Sequence, residues 1–147
     1  MTRLKKRFEF LEHTADLYIA AYGENLEEAF ESAAYAMFES MTNLGKVKPQ
    51  LEESVEVEGQ DEQALLYNWL EALLIKFDIT GKLYSKFKIL NIKKTSAGFN
   101  SRAKIWGEPF NPKKHLSKVG VKAVTYHQME ILRDSKGVVT VKFILDI

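Results

Sequence analysis

Apolar and polar positions along the chain change period several times, and each change marks an element. Residues 8–11 and 17–22 are short runs of aromatic and aliphatic side chains parted by the polar stretch 12–16, a pattern that predicts strand, turn, strand. Asn25 and Glu28 then have the spacing of a capping box. Leu26, Ala29, Phe30, Ala33, Met37 and Met41 follow at helical spacing, so a helix with one apolar face is expected from 26 to about 43. Lys48-Pro49 breaks it, and residues 54–58 alternate valine with acidic side chains, as a strand with one face in water should. From 62 to about 77, Leu65, Leu66, Trp69, Leu70, Leu73, Leu74 and Phe77 predict a second helix, closed at Thr80-Gly81. Its apolar surface is wider than one stripe, so it is expected to be the more deeply buried of the two.

Two further alternating runs, 87–92 and 99–106, are joined around Ser96-Ala97-Gly98 and read as a hairpin. Residues 107–121 carry Pro109, Pro112 and Gly120 with Lys113, Lys114 and Lys118 and follow neither period; a long surface loop is expected. Strands are predicted over 124–132 and 138–145, bracketing a turn at Asp134-Ser-Lys-Gly137 with glycine where a positive φ is most useful. Strands with two separated helices indicate an α+β protein. The expected architecture is a mostly antiparallel or mixed β-sheet packed with two α-helices, in a single compact domain spanning 1–147.

Composition narrows the function classes. With 46% hydrophobic residues the chain can support a core, and 21 basic against 20 acidic side chains leave no strong field, so a nucleic-acid binder would need a local basic patch. The absence of cysteine excludes a disulfide framework, a thiolate zinc site and a cysteine nucleophile, and any metal must use oxygen or nitrogen ligands. Even the greasiest segment, 64–79, carries Asn68, Glu71, Lys76 and Asp78, and the basic start lacks a following apolar run. No membrane association or secretion is expected, and the chain reads as cytoplasmic.

The motifs of common enzyme classes are missing: no glycine-rich phosphate loop, serine elbow or clustered zinc ligands. Glu12-His-Thr-Ala-Asp16 places three ligand-capable side chains in one turn, although Asp and Thr also favour turns for conformational reasons. At the other end, strand alternation sets Asp146 opposite the face of Val139, Val141, Phe143 and Leu145, one residue from the α-carboxylate of Ile147. Two carboxylates fixed so close repel unless a cation or proton lies between them, which suits Ca²⁺, Mg²⁺ or Mn²⁺; a frayed, solvated terminus is the other reading. Tyr126 and His127 fall on opposite faces of their strand, Tyr126 as a half-buried sheet aromatic. Lys122, between loop and strand, suits contact with a phosphate or an acidic partner. Lys86, Lys88, Lys93, Lys94, Arg102 and Lys104, interleaved with Phe87, Phe99 and Trp106, give either an RNA-facing hairpin or an ordinary amphipathic one.

Taken in order, Glu12-His-Thr-Ala-Asp16 with Leu17-Tyr-Ile-Ala-Ala21, Asn68-Trp-Leu-Glu-Ala-Leu-Leu74, Gly120-Val-Lys-Ala-Val-Thr-Tyr126 and the terminal Leu145-Asp-Ile147 resemble the archease family, small partner proteins of the RtcB-type RNA-splicing ligase. The resemblance implies a metal-binding accessory protein without catalysis of its own, which promotes guanylylation and multiple turnover of the ligase in tRNA splicing and meets RNA mainly through the ligase. It implies that Asp16 and Asp146 bind a divalent metal, Ca²⁺ foremost with Mg²⁺ or Mn²⁺ as alternatives, together with the carboxylate of Ile147. His13 would be a neighbour of that metal and Lys122 a partner contact. The alternative is a general chaperone-like or RNA-binding module using the basic and aromatic hairpin; a hydrolase built on the acidic pair is a third class. If Asp16 and Asp146 share an ion, their strands must be neighbours in a sheet.

Overall fold

The computed structural model describes residues 6–11 and 16–147. His13 lies outside the described residues. The elements are β1 (Phe8–Leu11), β2 (Leu17–Gly23), α1 (Leu26–Met41), β3 (Leu51–Gly59), α2 (Glu62–Thr80), β4 (Lys82–Thr95), β5 (Gly98–Pro109), β6 (Ala123–Arg133) and β7 (Val139–Asp146), with a short 3-10 turn at Leu44–Lys46. Local chemistry sets the helix ends. Asn25 Oδ1 accepts from the Glu28 N–H at 2.8 Å, and the Glu28 carboxylate reaches back to the Glu24 N–H rather than to Asn25 itself. Asp61 caps α2 through the Ala64 N–H at 2.7 Å, and Gly81 ends it at φ 70°, donating to Phe77 O.

The fold class is α+β, and every strand pair is antiparallel, but the strands divide between two sheets. One has the order β1-β2-β7-β6 and the other β3-β5-β4. The last strand thus lies beside the second, as a shared site at Asp16 and Asp146 requires. Both helices touch both sheets: α1 packs on β2, β7 and β4, and α2 on β3, β5 and β6.

That arrangement reverses the expected depths of the helices. In α1 the predicted stripe is buried, and so are Ser32, Ala34, Ala36, Phe38 and Ser40 on its other sides, whereas α2 buries six leucine and tryptophan positions and leaves Ile75 and Ile79 exposed. Small side chains around α1 let a sheet approach from either side, so α1 is the central element and the apolar breadth of α2 is partly spent in water. Phe38 faces β4, its ring 5.7 Å from Tyr84 and 5.8 Å from Phe87. Trp69 pins the helices together, donating from Nε1 to Phe30 O at 2.9 Å.

Two other expectations are corrected. Residues 107–109 continue β5, and the segment after them is not a surface loop throughout: His115 is 2% exposed and Val121 is buried. Its backbone N–H groups at Lys118 and Val119 donate to Met41 O and Ser40 O, carbonyls that α1 leaves unpaired at its C-terminus. Periodicity cannot reveal a segment ordered by capping a distant helix. Along β6 the strict alternation also fails. Thr125 pairs with Ile144 but Glu130 with Lys142, so β6 bulges between them, and Gln128 adopts φ 55°. Tyr126, His127 and Gln128 are all exposed in consequence, Tyr126 by 54% rather than half-buried in the sheet.

Candidate functional site

The strands that lead to the two predicted halves of the site pair with one another at one end of the four-stranded sheet. In the antiparallel register Leu17 faces Leu145, so one step further along both chains sets Asp16 opposite Asp146. On the other side of β7, Ala123 faces Asp146, and the Lys122 N–H donates to the Asp146 carbonyl at 2.7 Å. Thr125 Oγ1 donates to Ile144 O at 3.0 Å and holds the strands together just behind the tip. β7 is therefore the middle strand of the site: β2 delivers Asp16, β7 delivers Asp146 and Ile147, and β6 delivers Lys122.

Alternation explains the placement. Val139, Val141, Phe143 and Leu145 point into the core and are buried, which anchors β7 almost to its last residue and turns Asp146 to the opposite face, partly exposed. The donor set at this tip is two aspartates and an α-carboxylate, hard oxygen anions suited to a divalent cation of the Ca²⁺, Mg²⁺ or Mn²⁺ type and unsuited to a soft metal. Among the described residues, no group of three or more His, Cys, Asp and Glu side chains is placed to hold a metal. A cation here would thus depend on the α-carboxylate of Ile147 as well as on Asp16 and Asp146.

Sequence reasoning missed the device that fixes the segment leading to Lys122. His115 Nδ1 accepts from the Asn111 N–H at 2.9 Å, so its proton is on Nε2, which donates to Glu108 Oε2 at 2.9 Å. The same oxygen accepts from the Lys48 N–H at 2.8 Å and from Lys114 Nζ at 2.7 Å. Burial by itself would raise the Glu108 carboxyl, but these donors together outweigh it and hold the group at about 2. An isolated histidine seven positions after a glutamate carries no motif, so nothing in the sequence marks this cluster. A second carboxylate, Glu53, gathers Tyr84 Oη at 2.6 Å and Lys76 and Lys82 at 3.4 Å each.

Part of the basic hairpin is engaged within its own sheet. On the outward face of the three-stranded sheet, Arg102 pairs with Glu56 and Lys104 with Glu52 of β3, and Lys86 lies 4.6 Å over the Trp106 ring. Phe87 is turned inward and buried. The face carries an acidic row on β3 beside the basic rows, and two of the six basic side chains, Arg102 and Lys104, are paired with it. No helix among the described residues is long and apolar enough to cross a membrane.

Comparison with known proteins covers nearly the whole chain. The model of the archease protein family matches residues 8–147. The chain is 48% identical over 126 residues to protein archease of Pyrococcus abyssi, covering 86% of this chain and 88% of that one. It is 44% identical over 144 residues to protein archease of Sulfolobus acidocaldarius, covering 96% and 99%. The solution structure of Methanobacterium thermoautotrophicum protein 1598 superposes with a TM-score of 0.84 at 42% identity, covering 95% of this chain and 98% of the other.

Proposed function

The chain belongs to the archease family, and from that premise we propose that it is a cytoplasmic, metal-binding accessory protein of an RtcB-type RNA ligase in tRNA splicing, with no catalysis of its own. The observation that supports the proposal is the pairing of β2 with β7, whose register ends at Leu17 opposite Leu145, one residue short of Asp16 and Asp146, with the Lys122 N–H bonded to the Asp146 carbonyl. Asp16, Asp146 and Ile147 hold the cation, Ca²⁺ in the first instance, with Mg²⁺ or Mn²⁺ able to use the same oxygen donors. When bound, the ion supplies positive charge for positioning a phosphate-bearing nucleotide. The protein's own groups do the rest. The paired carboxylates concentrate negative charge at one end of the sheet; β7, anchored by its buried face, keeps them from splaying; and Lys122 offers an ammonium to a phosphate or an acidic group of the ligase. RNA is met mainly through the ligase.

Multiple-turnover ligation by the ligase of the same organism, with GTP and divalent metal, tests this. The wild-type protein is expected to raise the turnover, and folded Asp16→Ala and Asp146→Ala variants to lose at least about tenfold of that stimulation, the order seen when a group supporting a metal site is removed. No stimulation by folded wild-type protein would overturn the accessory reading. Stimulation retained in both variants would keep the ligase as partner and remove the metal mechanism. His13→Ala is expected to weaken the stimulation less than either aspartate variant.

A further inference from the structure

The bulge in β6 turns one aromatic ring outward in a setting that the acidic tip does not use. Tyr126 stacks on Tyr67 of α2 with ring centroids 4.2 Å apart and planes 6° from parallel, and it remains 54% exposed. One face of the Tyr126 ring is therefore covered by Tyr67, and exposure this large puts the rest of the ring in water. Stacking holds the ring in place, so a ligand laid on the open side orders little that is not already ordered.

The electrostatic surroundings select the ligand. The Tyr67 hydroxyl hydrogen-bonds the Glu71 carboxylate, which together with burial raises that phenol above its usual range. Tyr126 is also raised, first by burial and then by the negative charges of Asp61 and Glu71. A nucleotide stacked here would bring its phosphates toward those carboxylates. A planar guanidinium instead gains from both components, lying over the π-face and donating to a carboxylate at its edge.

We propose that the open face of Tyr126, backed by Tyr67 and lying in the negative field of Asp61 and Glu71, is a docking platform for an arginine side chain of a protein partner. The partner is taken to be the ligase, and to that extent the inference rests on the function proposed above. Position supports it: Ala123 pairs with Asp146 at the tip, and Tyr126 lies three strand residues further, roughly 10 Å at the rise of a β-strand. A partner that receives the acidic end can reach the platform in the same encounter. The bulge has a corresponding role, because it takes Tyr126 out of the sheet's alternation and presents the ring.

The test is equilibrium binding of the full-length protein to the purified ligase, with thermal melting to verify folding and a single-stranded 20-nucleotide RNA as a parallel probe. Tyr126→Ala is expected to weaken ligase binding by about tenfold, Tyr126→Phe to stay within about twofold because the ring is kept, and Glu71→Lys to weaken binding about fivefold or more. RNA binding should not change. Tyr126→Ala within twofold of wild type overturns the platform, and Glu71→Lys decides the matter if Tyr126→Ala does not fold. Weakening by Tyr126→Ala without any effect of Glu71→Lys means an apolar contact, and weakening confined to the RNA probe means a nucleobase; either overturns the arginine assignment. Failure of the wild-type protein to bind the ligase would instead bring down the proposed function with it, whereas normal binding by all variants would remove the platform alone.

Discussion

Glu108 keeps its charge in a place where burial opposes it, because three donors converge on one oxygen. Its folded value of about 2 lies below the ordinary 4.5, so the stabilisation is complete above pH ~4.5 and is lost as pH falls from there toward 2. At 1.36 kcal/mol per unit the whole effect is on the order of 3 kcal/mol. Acid titration of stability should therefore show a loss between pH ~4.5 and ~2 that is smaller in Glu108→Gln, which also costs stability at pH 7 by weakening the bonds from Lys114 and His115. A wild-type and variant melting temperature that fall in parallel over this range would count against the assignment. The same residue scale explains why His115 matters although it has no place in the predicted site: it ties the segment before Lys122 to the end of β5.

Two glycines, Gly81 at the end of α2 and Gly107 within β5, separate conformation from space. A Cβ at Gly81 would meet nothing, so Gly81→Ala should cost only the strain of a left-handed backbone, about 1 kcal/mol, read as a shift in denaturant midpoint. At Gly107, where β5 passes β4, a Cβ would collide with the Leu83 carbonyl. Gly107→Ala should therefore force the strands apart and lower the melting temperature by more than about 10 °C, a core-scale loss rather than a propensity effect. Trp69 belongs to this scale too, because it fills the junction of α1 and α2. Trp69→Ala is expected to cost about 3–5 kcal/mol in denaturant unfolding, with the cavity adding to the lost transfer energy.

At the scale of the whole molecule, the candidate metal site would close one end of a sheet by joining β2 to β7. A cation bound only in the folded state adds RT ln(1 + [L]/Kd), about 2.7 kcal/mol at a hundredfold excess over Kd, or a rise of roughly 5–10 °C in melting temperature for a chain of this size. Ca²⁺ titrated to ~5 mM should give that rise in the wild type and not in Asp16→Asn or Asp146→Asn, both of which keep the shape of the side chain. A flat melting temperature in the wild type would remove the ion from the site while leaving the paired strands untouched. The family assignment stands on the similarity of the whole chain and does not depend on this outcome.

Local order is what the sequence determined by itself. The period of the apolar positions located both helices and every strand, Asn25 and Gly81 marked helix ends, Gly137 took its positive φ, and the motifs at Asp16, Lys122 and Asp146 pointed to one family and one site. These are short-range properties, decided by neighbours along the chain. What required the tertiary structure was every relation between distant segments: the split into two sheets, the enclosure of α1 between them, and the register that sets Asp16 opposite Asp146. The burial of His115 and the stacking of Tyr126 on Tyr67 belong with these. A hydrophobic pattern records that a face will be buried but not what will cover it, so α1 and α2 could be found from the sequence and yet be ranked in the wrong order of depth.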